Sequence, residues 1–275
     1  MSERLIDLHV HTRHSDGSCS PEETVQHARQ LGLSALSITD HDSLSAIDEA
    51  RQYAEGIEVI TGVELSCHYQ DADIHLLAYF IDPAYAPLAD KVKFYQLERL
   101  KRGILIVEKL NELGIDLKIE TVQRMAKDAT LGRVHVADAL LKEEYVHTFD
   151  EAFSRYLGYH APAYVPKTHF DPAEAIELVH QAGGISVMAH PGSTRRDDAI
   201  AFMKGVGMDG LEVYHSKHTP AQVRHYKEIA ARNSLLISGG SDWHGRNDPR
   251  SEMGNQRVPY GVLARMKDYI QARNK

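Results

Sequence analysis

Cysteine is scarce in this chain: Cys19 and Cys67 are the only two among 275 residues. Neither belongs to a C-x-x-C pair, and a disulfide framework needs more, so a disulfide-stapled scaffold is excluded and both thiols read as reduced and structural. Long apolar runs are missing too. No stretch approaches the roughly 20 apolar residues that a membrane-crossing helix needs, and Met1-Ser2-Glu3-Arg4-Leu5-Ile6-Asp7 lacks the basic-then-apolar pattern of a leader. The expected location is the cytoplasm. Positive charge is in deficit, with 31 Lys and Arg against 39 Asp and Glu for a formal net charge of −8. Nonspecific nucleic-acid affinity comes from neutralising phosphates, so this balance argues against a general polyanion-binding surface. A small phosphorylated substrate in a local basic pocket stays compatible with it. There is neither an internal repeat nor a low-complexity tract.

What the chain does carry is a series of short His, Asp and Glu clusters. They are Asp7-Leu8-His9-Val10-His11 with Asp16, Asp40-His41-Asp42, Glu64, His75, His190 and Asp242-Trp243-His244. Each follows a short apolar run that reads as a β-strand. Side chains two apart on a strand share a face, so Asp7, His9 and His11 are expected to converge, as are Asp242 and His244. A solitary H-x-H says little. Its repetition at successive strand ends describes a multinuclear metal site, because buried charges need partners or metals. Imidazole and carboxylate donors without thiolates suit manganese, iron or zinc.

Length and a 43% hydrophobic content suffice for a large core. Seven strands are expected at Leu5 to His9, Ala35 to Thr39, Glu58 to Val63, Ile74 to Phe80, Ile185 to Ala189, Gly210 to Tyr214 and Leu235 to Ser238. Helices are expected from Pro21 to Gly32, Ser43 to Glu55, Pro172 to Ala182 and Pro220 to Asn233, with Ser20 as an N-cap. Strand and helix alternating in this way imply an α/β barrel with a mostly parallel sheet, whose active site lies at the C-terminal strand ends, where the clusters fall. The middle departs from the pattern. Residues 90–167 read as an inserted helical domain, with Leu97, Leu100, Ile104, Val107 and Leu110 as the apolar stripe of its first helix and Gly114 as its stop. Residues 1–89 and 168–275 then form the barrel, with Pro83, Pro87, Pro162 and Pro166 marking where the chain leaves and rejoins it.

The runs Asp7-Leu8-His9-Val10-His11-Thr12 with Ser15-Asp16-Gly17, Ile38-Thr39-Asp40-His41-Asp42, Gly62-Val63-Glu64-Leu65-Ser66, His75-Leu76-Leu77, Ala189-His190-Pro191-Gly192 and Gly240-Ser241-Asp242-Trp243-His244 together resemble the PHP (polymerase and histidinol phosphatase) superfamily. Within the insert, Gly132-Arg133-Val134-His135-Val136-Ala137, Ala152-Phe153, Tyr156-Leu157 and Tyr164-Val165 are similar to the branch holding nucleoside 3',5'-bisphosphate phosphatases and 5'-to-3' exoribonucleases. The resemblance implies a distorted (β/α)7 barrel, a trinuclear metal centre and phosphoester hydrolysis. It implies His9, His11, Glu64 and Asp242 on one cation, Glu64 bridging to a second held by His75 and His190, and Asp16, His41 and His244 on a third. Manganese is the first expectation at all three, with iron or zinc as alternatives. Two cations sharing a carboxylate lower the pKa of water between them, and the hydroxide would attack phosphorus in line. The expected reaction removes the 3'-phosphate of a nucleoside 3',5'-bisphosphate; the alternative is a 5'-to-3' exonuclease acting on short RNA or DNA. A noncatalytic metal-binding module has no need of so many ligands. An amidohydrolase would call for a lysine to be carbamylated at a strand end, and no suitable candidate is present.

Asp7, Asp40 and Asp42 read as carboxylates behind the ligands, each accepting the second ring N–H of a ligand histidine. Arg133 and His135 open a helix, where a guanidinium and amide groups could fork a phosphate. Lys93, Arg99 and Arg102 are expected to share a helix face toward the barrel mouth. His215 and His218 follow the sixth strand and are candidates to contact phosphate or protonate a leaving alkoxide. Arg195 follows the Ala-His-Pro-Gly run, after Ser193 at the position where the related phosphatases carry an arginine. His14, His68 and His160 have no strand-end partner and read as ordinary polar residues. Neither a membrane nor an obligatory protein partner is expected.

Overall fold

Polar and apolar residues alternate in the first strand, yet the faces they occupy are decided by a bulge. The computed structural model describes residues 4–127, 129–245 and 251–273. Its strands are β1 (Leu5–Val10), β2 (Ala35–Ile38), β3 (Glu58–Tyr69), β4 (Ala72–Tyr79), β5 (Ile185–Met188), β6 (Gly210–His215), β7 (Leu236–Gly240) and β8 (Val258–Pro259). They form one sheet in the order β7-β6-β5-β4-β3-β2-β1-β8. The sheet curls until its ends meet, with Asp242 N–H donating to His9 O and His11 N–H to Trp243 O, each at 2.8 Å. The result is a nearly closed, distorted α/β barrel. The close approach at the seam needs Gly240, where a Cβ would stand 2.4 Å from the His9 Cβ.

All seven expected strands are present, and β8 is an addition. It pairs antiparallel with β1 through Ile6↔Val258 and leads into the helix Tyr260–Arg273, which packs Val262, Leu263 and Met266 against the barrel. β4 runs antiparallel to both β3 and β5. As β3 continues past Thr61 into a hairpin with β4, Glu64 lies in mid-strand and His75 in the first half of β4. These two residues correct the expectation that every cluster closes a strand, for an antiparallel strand presents its N-terminal half to the mouth.

Inside the barrel, Ile6 and Leu8 of β1 meet Leu77 and Tyr79 of β4 and Val187 of β5, forming an apolar floor. In β1 the pairing register shifts between Asp7↔Leu36 and Val10↔Ile38. Three residues on β1 therefore oppose two on β2, which places Asp7 and Val10 on one face, away from the interior. His9 and His11 turn inward and Asp7 does not, so the expected convergence of all three is reduced to two. A second register shift in β6, between Glu212 and Tyr214, returns His215 to the face that Glu212 occupies.

Helices α1 (Pro21–Gln30) and α2 (Ala46–Gln52) cover β1 and β2. Ser20 and Glu23 form a capping box at the start of α1, so two backbone donors that the helix leaves open are satisfied. Helix α3 (Ala86–Glu112) spans two cores: Leu88, Val92 and Tyr95 pack on the barrel, whereas Ile106, Val107 and Leu110 join α4 (Ile119–Ala126) and α5 (Arg133–Lys142). Its buried face is rotated from the stripe expected. Leu97 and Ile104 are exposed, because α3 turns Gly103 toward Leu131, whose side chain would lie 2.5 Å from an added Cβ. Beyond α5, the short helix Phe149–Ala152 runs into a π-helical turn, Phe153–Leu157. No helix among the described residues is long and apolar enough to cross a membrane.

Candidate metal centre and adjoining cavity

Glu64 sits at the centre of the histidine cluster, with 1% of its side chain exposed. Its Oε2 lies 3.2 Å from both His9 Nε2 and His11 Nε2 and 3.1 Å from His41 Nδ1. Its Oε1 lies 2.8 Å from His75 Nδ1 and 3.1 Å from His190 Nε2. Asp242 Oδ1 approaches His9 and His11 at 3.5 and 3.3 Å. Asp16 completes a further group, its Oδ1 standing 3.4 Å from His244 Nε2 and 3.7 Å from His11 Nδ1, with His41 Nε2 at 4.0 Å from Oδ2. All nine residues expected as ligands are thus brought together by β1, β3, β4 and the loops after β1, β2, β5 and β7. His190 and Asp242 have left-handed backbone, φ 28° and 58°, at the turns that aim them inward.

The donor set fits divalent cations. His9 Nε2 and His11 Nε2 face each other at 3.1 Å, and Asp16 Oδ1, His41 Nδ1 and His190 Nδ1 are buried without a well-formed hydrogen bond. Burial alone would lower the pKa of His9 and His11, yet the surrounding carboxylates raise His9 well above its usual value and His11 to about 10. Burial would raise Glu64 and Asp242, but the histidines hold both well below the ordinary carboxylate range. The cluster therefore attracts positive charge strongly.

Asp7, Asp40 and Asp42 do not accept from ligand imidazoles. Asp7 accepts backbone N–H bonds from Ser241 and Gly254, at 2.9 and 2.8 Å, and so clasps the barrel seam. Asp40 accepts from Thr12 N–H and the Thr12 and Ser15 hydroxyls, at 2.6–2.7 Å, and shapes the loop carrying Asp16. Asp42 accepts from Ser66 N–H and pairs with Arg99 at 2.6 Å; burial pushes its pKa up, and Arg99 and Lys167 outweigh that and lower it. The part expected of these aspartates is taken by Glu212, unnoticed in the sequence. It accepts from His9 Nδ1–H at 2.9 Å and from His190 N–H at 2.7 Å. A lone acidic residue inside the apolar strand β6 was the available signal.

A cavity of about 290 Å³ opens beside the cluster. Asp16, His41, His75 and His190 line one part of it; Arg99, Arg102, Arg133 and Lys167 line another. Lys167 is the second residue that sequence reasoning missed. Arg133 donates to Leu157 O at 3.1 Å and has the rings of Phe153, Tyr159 and Tyr164 at 5.5–5.8 Å. His135 is buried and its Nδ1 accepts from Gly132 N–H, capping α5. Lys93 does not join this wall. It is exposed and lines a larger groove of about 1080 Å³ at the opposite end of β3 and β4, which contains no histidine. Lys93 is six residues from Arg99, so the helical turn carries the two to different faces. Arg195 is exposed beyond His190 and is not among the residues lining the 290 Å³ cavity.

His215 accepts from Lys217 N–H through Nδ1 and directs Nε2 at Asp242 Oδ2, 3.4 Å away. Lys217 Nζ reaches the same oxygen at 3.2 Å. His218 donates from Nδ1 to Val213 O and accepts Gly192 N–H at Nε2, so both ring nitrogens are spent on backbone. Neither histidine lines the cavity, and His218 has no nitrogen left for proton transfer. His68, set aside in the sequence, joins Asp73 and His169 in a small separate group. Both cysteines are free and buried.

A carboxylate–histidine cluster fit for divalent cations at the mouth of an α/β barrel, facing a pocket with four cationic side chains, defines a metal-dependent hydrolase of an anionic substrate. The PHP domain family matches residues 7–172, and the chain belongs to that family. It is 35% identical over 249 residues to a 5'-3' exoribonuclease of Haemophilus influenzae, covering 88% of this chain and 90% of that protein. It is 30% identical over 258 residues to a 3',5'-nucleoside bisphosphate phosphatase of Chromobacterium violaceum, covering 91% and 90%. A solved structure of a candidate metal-dependent phosphoesterase from Bifidobacterium adolescentis matches with a TM-score of 0.88 and 33% identity, over 96% of this chain and 95% of that one. The protein is a metal-dependent phosphoesterase, a hydrolase of phosphoric ester bonds.

Proposed function

We propose that the enzyme removes the 3'-phosphate of a nucleoside 3',5'-bisphosphate. The observation that carries this reading is the pairing of the Glu64-centred cluster with a cavity whose other wall bears three arginines and a lysine. His9, His11, Glu64 and Asp242 would hold one cation; His75 and His190, with Glu64 shared, a second; Asp16, His41 and His244 a third. Manganese is the expected ion, and iron or zinc fits the same donors. When bound, such ions activate water and neutralise charge on the phosphoryl oxygens. Glu212 orients His9 and the backbone of His190, and Asp40 holds the Asp16 loop in place. Residues 1–89 and 168–275 act as the barrel, and residues 90–167 as the inserted helical domain that binds substrate, with Arg102 and Arg133 in the cavity wall.

A 5'-to-3' exonuclease on short RNA or DNA is the second reading, favoured by the Haemophilus influenzae relative, a 5'-3' exoribonuclease. Both activities break the P–O3' bond of a 5'-phosphorylated nucleotide, and they differ in whether the 3'-phosphate is terminal or carries a further nucleotide. The test is mass spectrometry of products after adding manganese-loaded protein to adenosine 3',5'-bisphosphate and, separately, to a 5'-phosphorylated RNA pentamer. Fast release of phosphate from the bisphosphate with a slow pentamer supports the phosphatase. Stepwise loss of mononucleotides with poor bisphosphate turnover overturns it in favour of the exonuclease.

A further inference from the structure

His68, Asp73 and His169 stand apart from the nine-residue cluster. In the β3–β4 hairpin Cys67 pairs with Ile74 and His68 with Asp73. Cys67 and Ile74 are buried in the barrel core, so His68 and Asp73, one position along, face the other way as cross-strand neighbours. Phe170 forms a parallel bridge with Cys67 and enters the same core, which turns His169 to the face of His68. Three adjacent extended segments thus bring two imidazoles to one carboxylate. His169 Nε2 lies 2.7 Å and His68 Nδ1 3.3 Å from the same oxygen, Asp73 Oδ1. The two rings stack with centroids 4.6 Å apart. The other carboxylate oxygen is occupied, since Oδ2 accepts the Tyr159 hydroxyl at 2.5 Å.

A plain ion pair does not account for this arrangement. Both rings converge on a single oxygen, and His169 Nε2, although close to it, is buried without a well-formed hydrogen bond. Asp16, His41 and His190 show the same sign in the main cluster. For ligand bonds of about 2.0–2.2 Å the edge of a tetrahedron is roughly 3.4 Å, close to the 3.3 Å between His68 and Asp73.

We propose that His68, Asp73 and His169 form an accessory site for a divalent transition cation of the zinc type, separate from the Glu64-centred cluster. Two imidazoles and a carboxylate suit zinc and leave a fourth tetrahedral position to water, the His68 side chain being 38% exposed. Asp73 and His75 are two positions apart on β4, roughly 7 Å along the strand, and the two groups share no residue. Tyr159 fixes the carboxylate from behind, as the partner of a ligand does. Because Tyr159 lies within residues 90–167 and His169 follows them, a cation bound here fastens that stretch to the β3–β4 hairpin. It does so whichever phosphoester is hydrolysed.

The experiment is equilibrium dialysis of the full chain against graded, buffered free zinc, with zinc per chain counted by elemental mass spectrometry, on wild type, His68→Gln and His169→Gln. At saturation the wild type is expected to hold one zinc per chain more than either variant. Its midpoint of thermal unfolding should also rise further with zinc than theirs, because a ligand that binds only the folded chain stabilises it. Far-UV circular dichroism confirms that the variants fold. His68 is the more exposed of the two histidines, at 38% against 14% of the side chain, so His68→Gln decides the matter if His169→Gln is unfolded. Equal zinc content in wild type and His68→Gln overturns the proposal. So does a folded His68→Gln chain that loses more than one zinc, which would make the group a prop of the main cluster and not a site of its own.

Discussion

Glu212→Gln should loosen the metal cluster while leaving the barrel folded. The Glu212 side chain is fully buried and its two oxygens are both in use, one on His9 Nδ1–H at 2.9 Å and one on His190 N–H at 2.7 Å. Glutamine has the same shape but one acceptor oxygen. Its NH2 must therefore confront either the His9 ring N–H or the His190 amide, and one donor is left without a partner. Hydrogen bonds to a charged group contribute about 1.5–3 kcal/mol, which agrees with the 10- to 100-fold loss of metal affinity or activity common when a partner behind a ligand histidine is changed. Burial pushes the Glu212 pKa up and His9 with His215 pulls it down to a net lowering, so the carboxylate is charged at neutral pH and the substitution also removes that charge. The assay is metal retention against a graded chelator, with far-UV circular dichroism to confirm the fold. Wild-type metal affinity and phosphatase rate in Glu212→Gln would refute the argument, leaving Glu212 as a space-filling residue.

Asp242→Ala or Glu64→Ala should remove metal and activity together, with a rate loss of at least about a hundredfold; a variant that keeps full metal content by mass spectrometry contradicts the ligand assignment. Arg133→Ala should leave metal content intact and raise KM for the 5'-phosphorylated substrate by about tenfold or more, and wild-type kinetics would remove the insert from phosphate recognition. Cation binding should release protons at neutral pH. Burial lowers the His11 pKa and its carboxylate neighbours raise it to about 10, so the metal-free ring is protonated at pH 7 and a cation must displace that proton. Affinity should accordingly strengthen as pH rises toward that value, and calorimetry in buffers of different ionisation enthalpy would show proton release; a pH-independent affinity would contradict it.

The histidine and carboxylate clusters and the strands beside them were legible in the sequence because they are local. An H-x-H or D-x-H after an apolar run needs only the two-residue period of a strand to be read, and the cap at Ser20 and the stop at Gly114, with φ +84°, likewise depend on near neighbours. The rotated face of α3 was not local. Leu97 and Ile104 fit the helical period as well as their buried neighbours do, and the choice was made by Gly103 meeting Leu131, 28 positions away.

By itself, the sequence determined an α/β barrel with histidine and carboxylate donors at its mouth and a helical stretch between its halves. Tertiary structure decided which side chains face inward. Two bulges, in β1 and β6, sent Asp7 out to the seam and brought His9, His11 and His215 in. Long-range pairing also gave Glu212 to His9, 203 residues earlier, Arg99 to Asp42, and Lys167 to the cavity. A bulge changes the face of every later residue in its strand, and a buried charge takes whatever partner the fold delivers. Neither leaves a periodic mark in the chain.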